Sequence, residues 1–168
     1  MIGHFKHPPN RDGIHWLTRD IWPRIKRHLP DATLDIFGAH PDKSDMALTD
    51  PASGIRVVGT LKAEELTTRL QRARISLAPI RYGAGIKGKI AENWFAGTPV
   101  VTTSIGAESM TSYLKQPGGN VAQTFGGQVA DTADEFARAA VSLYIDSGRW
   151  HRARASGYEI LTQNFNMA

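Results

Sequence analysis

The chain has 168 residues, 41% of them hydrophobic and 21% charged, with 16 glycines, no cysteine and 20 basic against 16 acidic side chains, a net charge of +4. The apolar residues are spread too evenly for a disordered chain, and no run approaches the roughly 18 apolar residues of a membrane span, so one folded globular domain is expected. Without cysteine there is no disulfide framework, thiolate metal site, iron–sulfur cluster or cysteine nucleophile, and a reducing, cytoplasmic setting fits.

Met1 to Phe5 reads as a short first strand, with no charged leader ahead of a long apolar core, so no export signal is expected. Asp12 to His28 places Ile14, Leu17, Ile21, Ile25 and Leu29 at helical spacing, and Pro23 demands a kink or local break there. Ala32 to Gly38 (ATLDIFG) and Ile55 to Gly59 (IRVVG) read as strands, and Lys62 to Ala73 as a helix. Arg74 to Pro79 (RISLAP) is a third strand, leading through a glycine-rich turn to a helix at Gly88 to Ala96. Thr98 to Thr103 is a further strand and Asn120 to Phe125 a weaker one; helices at Ala133 to Asp146 and Trp150 to Asn164 close the chain. Strands separated by helices form βαβ units, and therefore an α/β fold with a parallel sheet covered on both faces.

Ligands of such sheets bind at the carboxyl ends of the strands, where amides of the following helix converge. The densest loop is the one from Pro79 into the Gly88 helix. Between Glu65 and Glu92 stand six basic residues and no acid, and from Asn93 to Ala107 there is no charge at all. Gly83, Gly85 and Gly88 permit positive φ and close backbone approach, and the helix adds free amides and partial positive charge. With Arg81, Lys87 and Lys89 this is a cradle for a phosphate or diphosphate. Glu92, one turn into the helix, can accept bonds from a ribose diol; an ordinary i,i+3 surface pair of Lys89 and Glu92 explains the same letters.

Gly83 to Lys89 also fits G-x-x-x-x-G-K, but Ile90 stands where a P-loop needs Ser or Thr for magnesium, and no Asp-x-Asp pair occurs anywhere. His4, His7 and His40 fall in loops at the ligand edge, where an imidazole either bonds a phosphate or sugar hydroxyl or is simply solvated. Their spacing offers no metal site. Gly59, Thr60 and Leu61 either edge a nucleobase or form a plain strand-to-helix turn. No G-x-S-x-G elbow supports a hydrolase.

The stretch from Ala78 to Val101, ending A-E-N-W-F-A-G-T-P-V-V, resembles the donor-binding region of glycosyltransferase family 4, a GT-B group that uses nucleotide sugars. The opening G-H-F-K-H-P-P-N-R-D-G-I-H-W-L, W-P-R-I at Trp22 to Ile25, L-D-I-F-G at Leu34 to Gly38 and T-T-S-I-G-A-E at Thr102 to Glu108 follow the same family's order, so the resemblance spans essentially the whole chain. It implies a Rossmann-like three-layer α/β/α domain with a parallel sheet, the C-terminal half of a GT-B glycosyltransferase. Residues 1–168 would form a single nucleotide-sugar-binding domain, with the acceptor-binding N-terminal domain outside this chain.

The implied reaction is metal-independent, retaining transfer from a nucleoside-diphosphate sugar to a glycan or lipid-linked acceptor. No cofactor and no nucleic acid take part. Lys87 and Arg81 would stabilise charge growing on the β-phosphate; Gly83, Ala84, Gly85, Ile86 and Lys89 would line the donor, Gly106 and Glu108 its phosphates and sugar, and Glu92 its ribose. The family's paired glutamates, with seven residues between them, fall here on Ala84 and Glu92, and its first-loop Arg and Lys on His4 and Asn10. Alone, the chain would bind donor and transfer sugar poorly or not at all, and a peripheral place at the inner membrane would belong to the full-length protein. The alternative is a noncatalytic anion- or nucleic-acid-binding module using the same basic loop, with affinity falling steeply with salt.

Overall fold

Helix α1 (Pro8–Trp16) starts one turn ahead of the predicted Asp12, because Pro8 and Pro9 occupy its first positions, where a missing N–H leaves no bond unmade. The structure, a computed structural model, describes residues 1–84, 87–115 and 121–164. The local break expected at Pro23 is a change of helix type just before it. Leu17–Ile21 widen into a π turn in which the Trp22 N–H bonds the Leu17 carbonyl, and α2 (Trp22–His28) continues with its proline in the first turn.

The parallel strands fall in two groups. β1 (Leu34–Phe37) pairs with β2 (Ile55–Gly59), and Ile2 adds a parallel bridge to Phe37 on the other edge of β1. The predicted first strand is therefore reduced to that bridge. β3 (Ser76–Ala78), β4 (Val100–Thr102) and β7 (Gly127–Val129) form the second group, in the order β3-β4-β7. The weak strand expected near 120–125 is β6 (Val121–Thr124), paired antiparallel with β5 (Ser112–Lys115); the parallel place beside β4 belongs to β7. Gly127 lets β7 lie there, since a side chain at that position would fall onto the Val100 backbone.

The helices between are α3 (Lys43–Met46), α4 (Ala63–Arg72), α5 (Gly88–Phe95), α6 (Ser104–Ala107), α7 (Ala133–Ile145) and α8 (Ser147–Asn164). The short α3 escaped prediction, and a reciprocal cap holds it: Asp42 accepts from the Ser44 and Asp45 amides while the Asp45 carboxylate accepts from the Asp42 N–H. One core cluster joins Ile14, Leu17 and Ile21 to Ile36, Val101 and Phe136. A second surrounds Trp94, whose ring meets Phe125 edge-on at 5.0 Å and whose Nε1 donates to the Gly126 carbonyl at 2.7 Å. This cluster seats α5, and therefore the loop before it, on α8. Among the described residues no helix is long and apolar enough to cross a membrane.

Candidate functional site

Two helix starts meet at the carboxyl edge. α5 begins with Lys87 at its N-cap, without a side-chain cap and without an acid in its first turn, so its partial positive charge is unopposed by a local carboxylate. The Lys87 side chain is buried, and its Nζ donates to the Gly83 carbonyl at 2.9 Å, closing the loop on itself. Lys89 reaches across to α1 and donates to Asn10 Oδ1. Asn10, itself buried, donates from Nδ2 to the His4 carbonyl at 3.2 Å. One asparagine thus ties the loop after Ile2, the start of α1 and the start of α5 together.

Close backbone packing reinforces the junction. A side chain on Gly13 would strike the Pro79 carbonyl, and the Cβ position of Gly83 lies 3.4 Å from the Pro9 ring. Gly83 has φ +112°, a conformation that favours glycine.

Burial, and secondarily the charge of Lys87, push the Lys89 ammonium down to about 8. A nearby anion favours the charged form, so ligand binding at pH 8.5 to 9 should draw a proton onto Lys89. Titrations of inorganic diphosphate in buffers of different ionisation heat are expected to show this uptake, and Lys89→Gln to remove it. An unchanged proton balance in the variant would place the anion elsewhere.

Arg81 is aimed at α1. Its Nε and Nη2 donate to the Asp12 carboxylate at 2.8 and 2.5 Å, and its guanidinium lies 5.2 Å above the Trp16 ring centroid. The guanidinium is committed to a brace between α1 and the loop, a difference from the phosphate contact expected of it. Ala84 is exposed beside Gly83, while Gly85 and Ile86 lie outside the described residues. Glu92 is exposed on α5, and Lys89 turns to Asn10 rather than to it.

The remaining loops lie along the same edge. His4 is exposed, its Nδ1 accepts the Lys6 N–H at 3.2 Å, and its ring sits 5.1 Å from that of His40. Gly59 takes φ +81° and accepts the Gly38 N–H at 2.9 Å; Thr60 beyond it is exposed and Leu61 half-buried. The loop after β4 is stapled to the one after β3, because Thr102 Oγ1 donates to the Ala78 carbonyl at 2.7 Å and Thr103 Oγ1 to that of Ile80. Thr103 Oγ1 in turn accepts the Gly106 N–H at 3.0 Å, and a side chain on Gly106 would collide with Thr102 Oγ1. Glu108 is exposed.

The structure therefore joins Lys89 to the His4 loop through Asn10, closes Lys87 onto Gly83, and fixes Gly106 through Thr103. Among the described residues, no hydrogen bond or ion pair ties Glu92, Glu108 or Thr60 into that junction. Asn10, Asp12 and Thr103 are the connecting residues that sequence reasoning did not assign; Asn10 showed only as a departure from the family's first-loop pattern. Among the described residues no group of three His, Asp or Glu could hold a metal ion. Ile90, at the position a P-loop gives to Ser or Thr, is fully buried.

Parallel βαβ units with loops and helix starts gathered at the carboxyl edge have the fold of the C-terminal half of a GT-B glycosyltransferase. The chain belongs to the glycosyl transferases group 1 family, whose profile matches residues 1–146. Among solved structures, the pneumococcal O-GlcNAc transferase GtfA in complex with UDP and GlcNAc superposes with a TM-score of 0.71 at 16% identity, over 96% of this chain and 31% of that one. S. aureus TarM, in complex with Fondaparinux, alpha-GlcNAc-glycerol and UDP, gives 0.75 at 13% identity over 98% and 31%. A Thermobaculum terrenum O-GlcNAc transferase gives 0.59 at 20% identity over 86% and 28%. The chain thus spans about a third of the length of these structures. A comparison with curated protein sequences finds no match.

Proposed function

We propose that this chain is the nucleotide-sugar-binding domain of a metal-independent, retaining glycosyltransferase acting in the cytoplasm on a glycan or lipid-linked acceptor. The carrying observation is the Lys89–Asn10 junction, which sets two lysines and the amide-rich start of α5 at one carboxyl edge. As the bond from the anomeric carbon to the phosphate oxygen breaks, negative charge grows on the β-phosphate. Lys87 and Lys89, already positioned, stabilise that charge more in the transition state than in the ground state. Arg81 acts through Asp12 to hold the loop in place. Gly83 and Ala84 offer backbone amides, Glu92 accepts from the ribose, Gly59 to Leu61 edge the base, and His4, Gly106 and Glu108 face the phosphates and sugar. The UDP in the GtfA and TarM complexes makes uracil the first base to try. The acceptor is held by a further domain, and the donor substrate is the only small molecule the reaction needs.

Calorimetric titration of the chain with UDP, GDP, ADP and ATP, with and without magnesium, tests this reading. One nucleoside diphosphate is expected to bind without metal, and Lys89→Ala and Glu92→Ala each to weaken it about tenfold or more, the size of a lost charge-assisted hydrogen bond. Binding of ATP alone, only with magnesium, would overturn it. Indiscriminate binding of polyanions that fades with salt would favour the noncatalytic module instead.

A further inference from the structure

At the amino edge of β3 and β4, opposite the loops of the candidate site, the ends of α4, α5 and α7 and the first half of α8 converge. The cations here are stacked on rings. The Arg74 guanidinium lies 4.7 Å from the Trp150 ring centroid, and that of Arg154 lies 5.5 Å from the same centroid and 5.5 Å from that of Tyr158. Hydrogen bonds fix the stack to the edge: Arg74 Nε donates to the Tyr144 carbonyl at 3.1 Å, and Trp150 Nε1 to the Arg74 carbonyl at 2.6 Å. Gly97 leaves room for it, since a Cβ there would lie 2.6 Å from the Tyr158 hydroxyl and 3.0 Å from Arg154 Nε.

Residues 72–74 and 146–159 supply five arginines, Arg72, Arg74, Arg149, Arg152 and Arg154, against two acids, Asp146 and Glu159. Arg149 takes Asp146 at 3.2 Å. Among the described residues, none of the other four arginines forms an ion pair. Like charges gathered on one set of rings repel one another, and an external anion relieves that repulsion.

Apolar side chains stand in solvent around the stack. Phe95, at the end of α5, is 60% exposed and Ile145, at the end of α7, 66%; with Tyr144 and Tyr158 they are four of the eight exposed large apolar side chains among the described residues. A nucleic acid would use the guanidinium groups and the rings and leave Ile145 in water. A lipid surface uses all three kinds: arginines meet phosphates, tyrosine and tryptophan suit the headgroup level, and phenylalanine and isoleucine enter the acyl boundary.

We infer that this edge docks the domain on an anionic lipid surface, with the guanidinium groups at the lipid phosphates and Phe95 and Ile145 inserted beneath them. Docking here is independent of what the carboxyl-edge loops bind, because those loops lie at the other ends of the same strands.

Sedimentation of the chain with vesicles tests this, comparing pure phosphatidylcholine with phosphatidylcholine and phosphatidylglycerol mixed two to one. Binding is expected to the mixed vesicles only. Arg72→Gln with Arg152→Gln should weaken it about 25-fold, at roughly fivefold for each arginine near the surface, and Ile145→Ser about tenfold. Both variants should melt with the parent, since these side chains are exposed. Lys89→Ala, altering the basic loop at the opposite edge, should bind vesicles like the parent. Equal binding to both kinds of vesicle, an unchanged double variant, or a loss in Lys89→Ala as large as that of the double variant would each overturn the inference. So would Ile145→Ser binding like the parent, the result of a bare polyanion surface such as a nucleic acid would use.

Discussion

In the intact glycosyltransferase, Lys89→Met is expected to lower kcat about 100-fold while leaving the melting temperature unchanged or a few degrees higher. The two effects have opposite signs because the fold disfavours the very ammonium to which the proposed function assigns the leaving phosphate. Lys89 sits beside Lys87 in a largely desolvated place, so its proton is held less firmly in the folded chain than in the unfolded one. The unfolded state therefore binds more protons between about pH 8 and the ordinary lysine value of 10.5, and Lys89 makes stability rise with pH across that window. Methionine removes that penalty, offset by roughly 1 kcal/mol for the Asn10 oxygen left without its donor. On the proposed function it also removes a cation preorganised for the leaving phosphate, a loss of the size of one oxyanion-type donor, about 2.7–4 kcal/mol of barrier. Thermal melting across pH 7 to 10.5 checks the first statement and steady-state transfer the second. A variant that melts well below the parent and transfers sugar normally would show Lys89 to be a purely structural residue.

Trp94→Ala is expected to cost about 4 kcal/mol and to lower the melting temperature by roughly 8–16 °C. The ring is buried between α5 and α8, meets Phe125 edge-on, and sits so near Gly157 that the Cβ position there is 2.9 Å from it. Alanine leaves a cavity the size of an indole and removes one of the two hydrogen bonds to the Gly126 carbonyl, which keeps the Val100 N–H at 3.1 Å. Trp94→Phe separates the two contributions: it keeps most of the packing and loses only the 2.7 Å bond, so about 0.5–1.5 kcal/mol is expected. Calorimetric unfolding distinguishes them. Because α5 carries both lysines, Trp94→Ala should also weaken UDP binding without touching the ligand, and Trp94→Phe should do so much less.

The elements with strong local signals were legible in the sequence. β2 was read to the residue, and α4, α5 and α7 to within one residue at either end, because apolar period and flanking turn residues agree there. The misses have local causes. Pro8 and Pro9 read as loop although proline suits a helix start, and β7 hides in a glycine pair whose value lies in its closeness to Val100. The basic, glycine-rich loop was found from composition alone. Its connections were not, since Arg81 meets Asp12 across 69 positions and Lys89 meets Asn10 across 79. A single sequence shows which side chains can hold an anion, and only the folded chain shows which of them are already engaged with one another.

The Asp12–Arg81 brace sets how far the site's attraction reaches into solution. A bidentate pair is close to neutral beyond its own dimensions, so under the proposed function an approaching diphosphate senses two cations from this loop instead of three, screened over about 8 Å at physiological ionic strength. Asp12 thereby acts as a volume control on electrostatic capture: Asp12→Asn would return a third charge to the field, speeding anion encounter while loosening the loop that must hold the anion once it arrives.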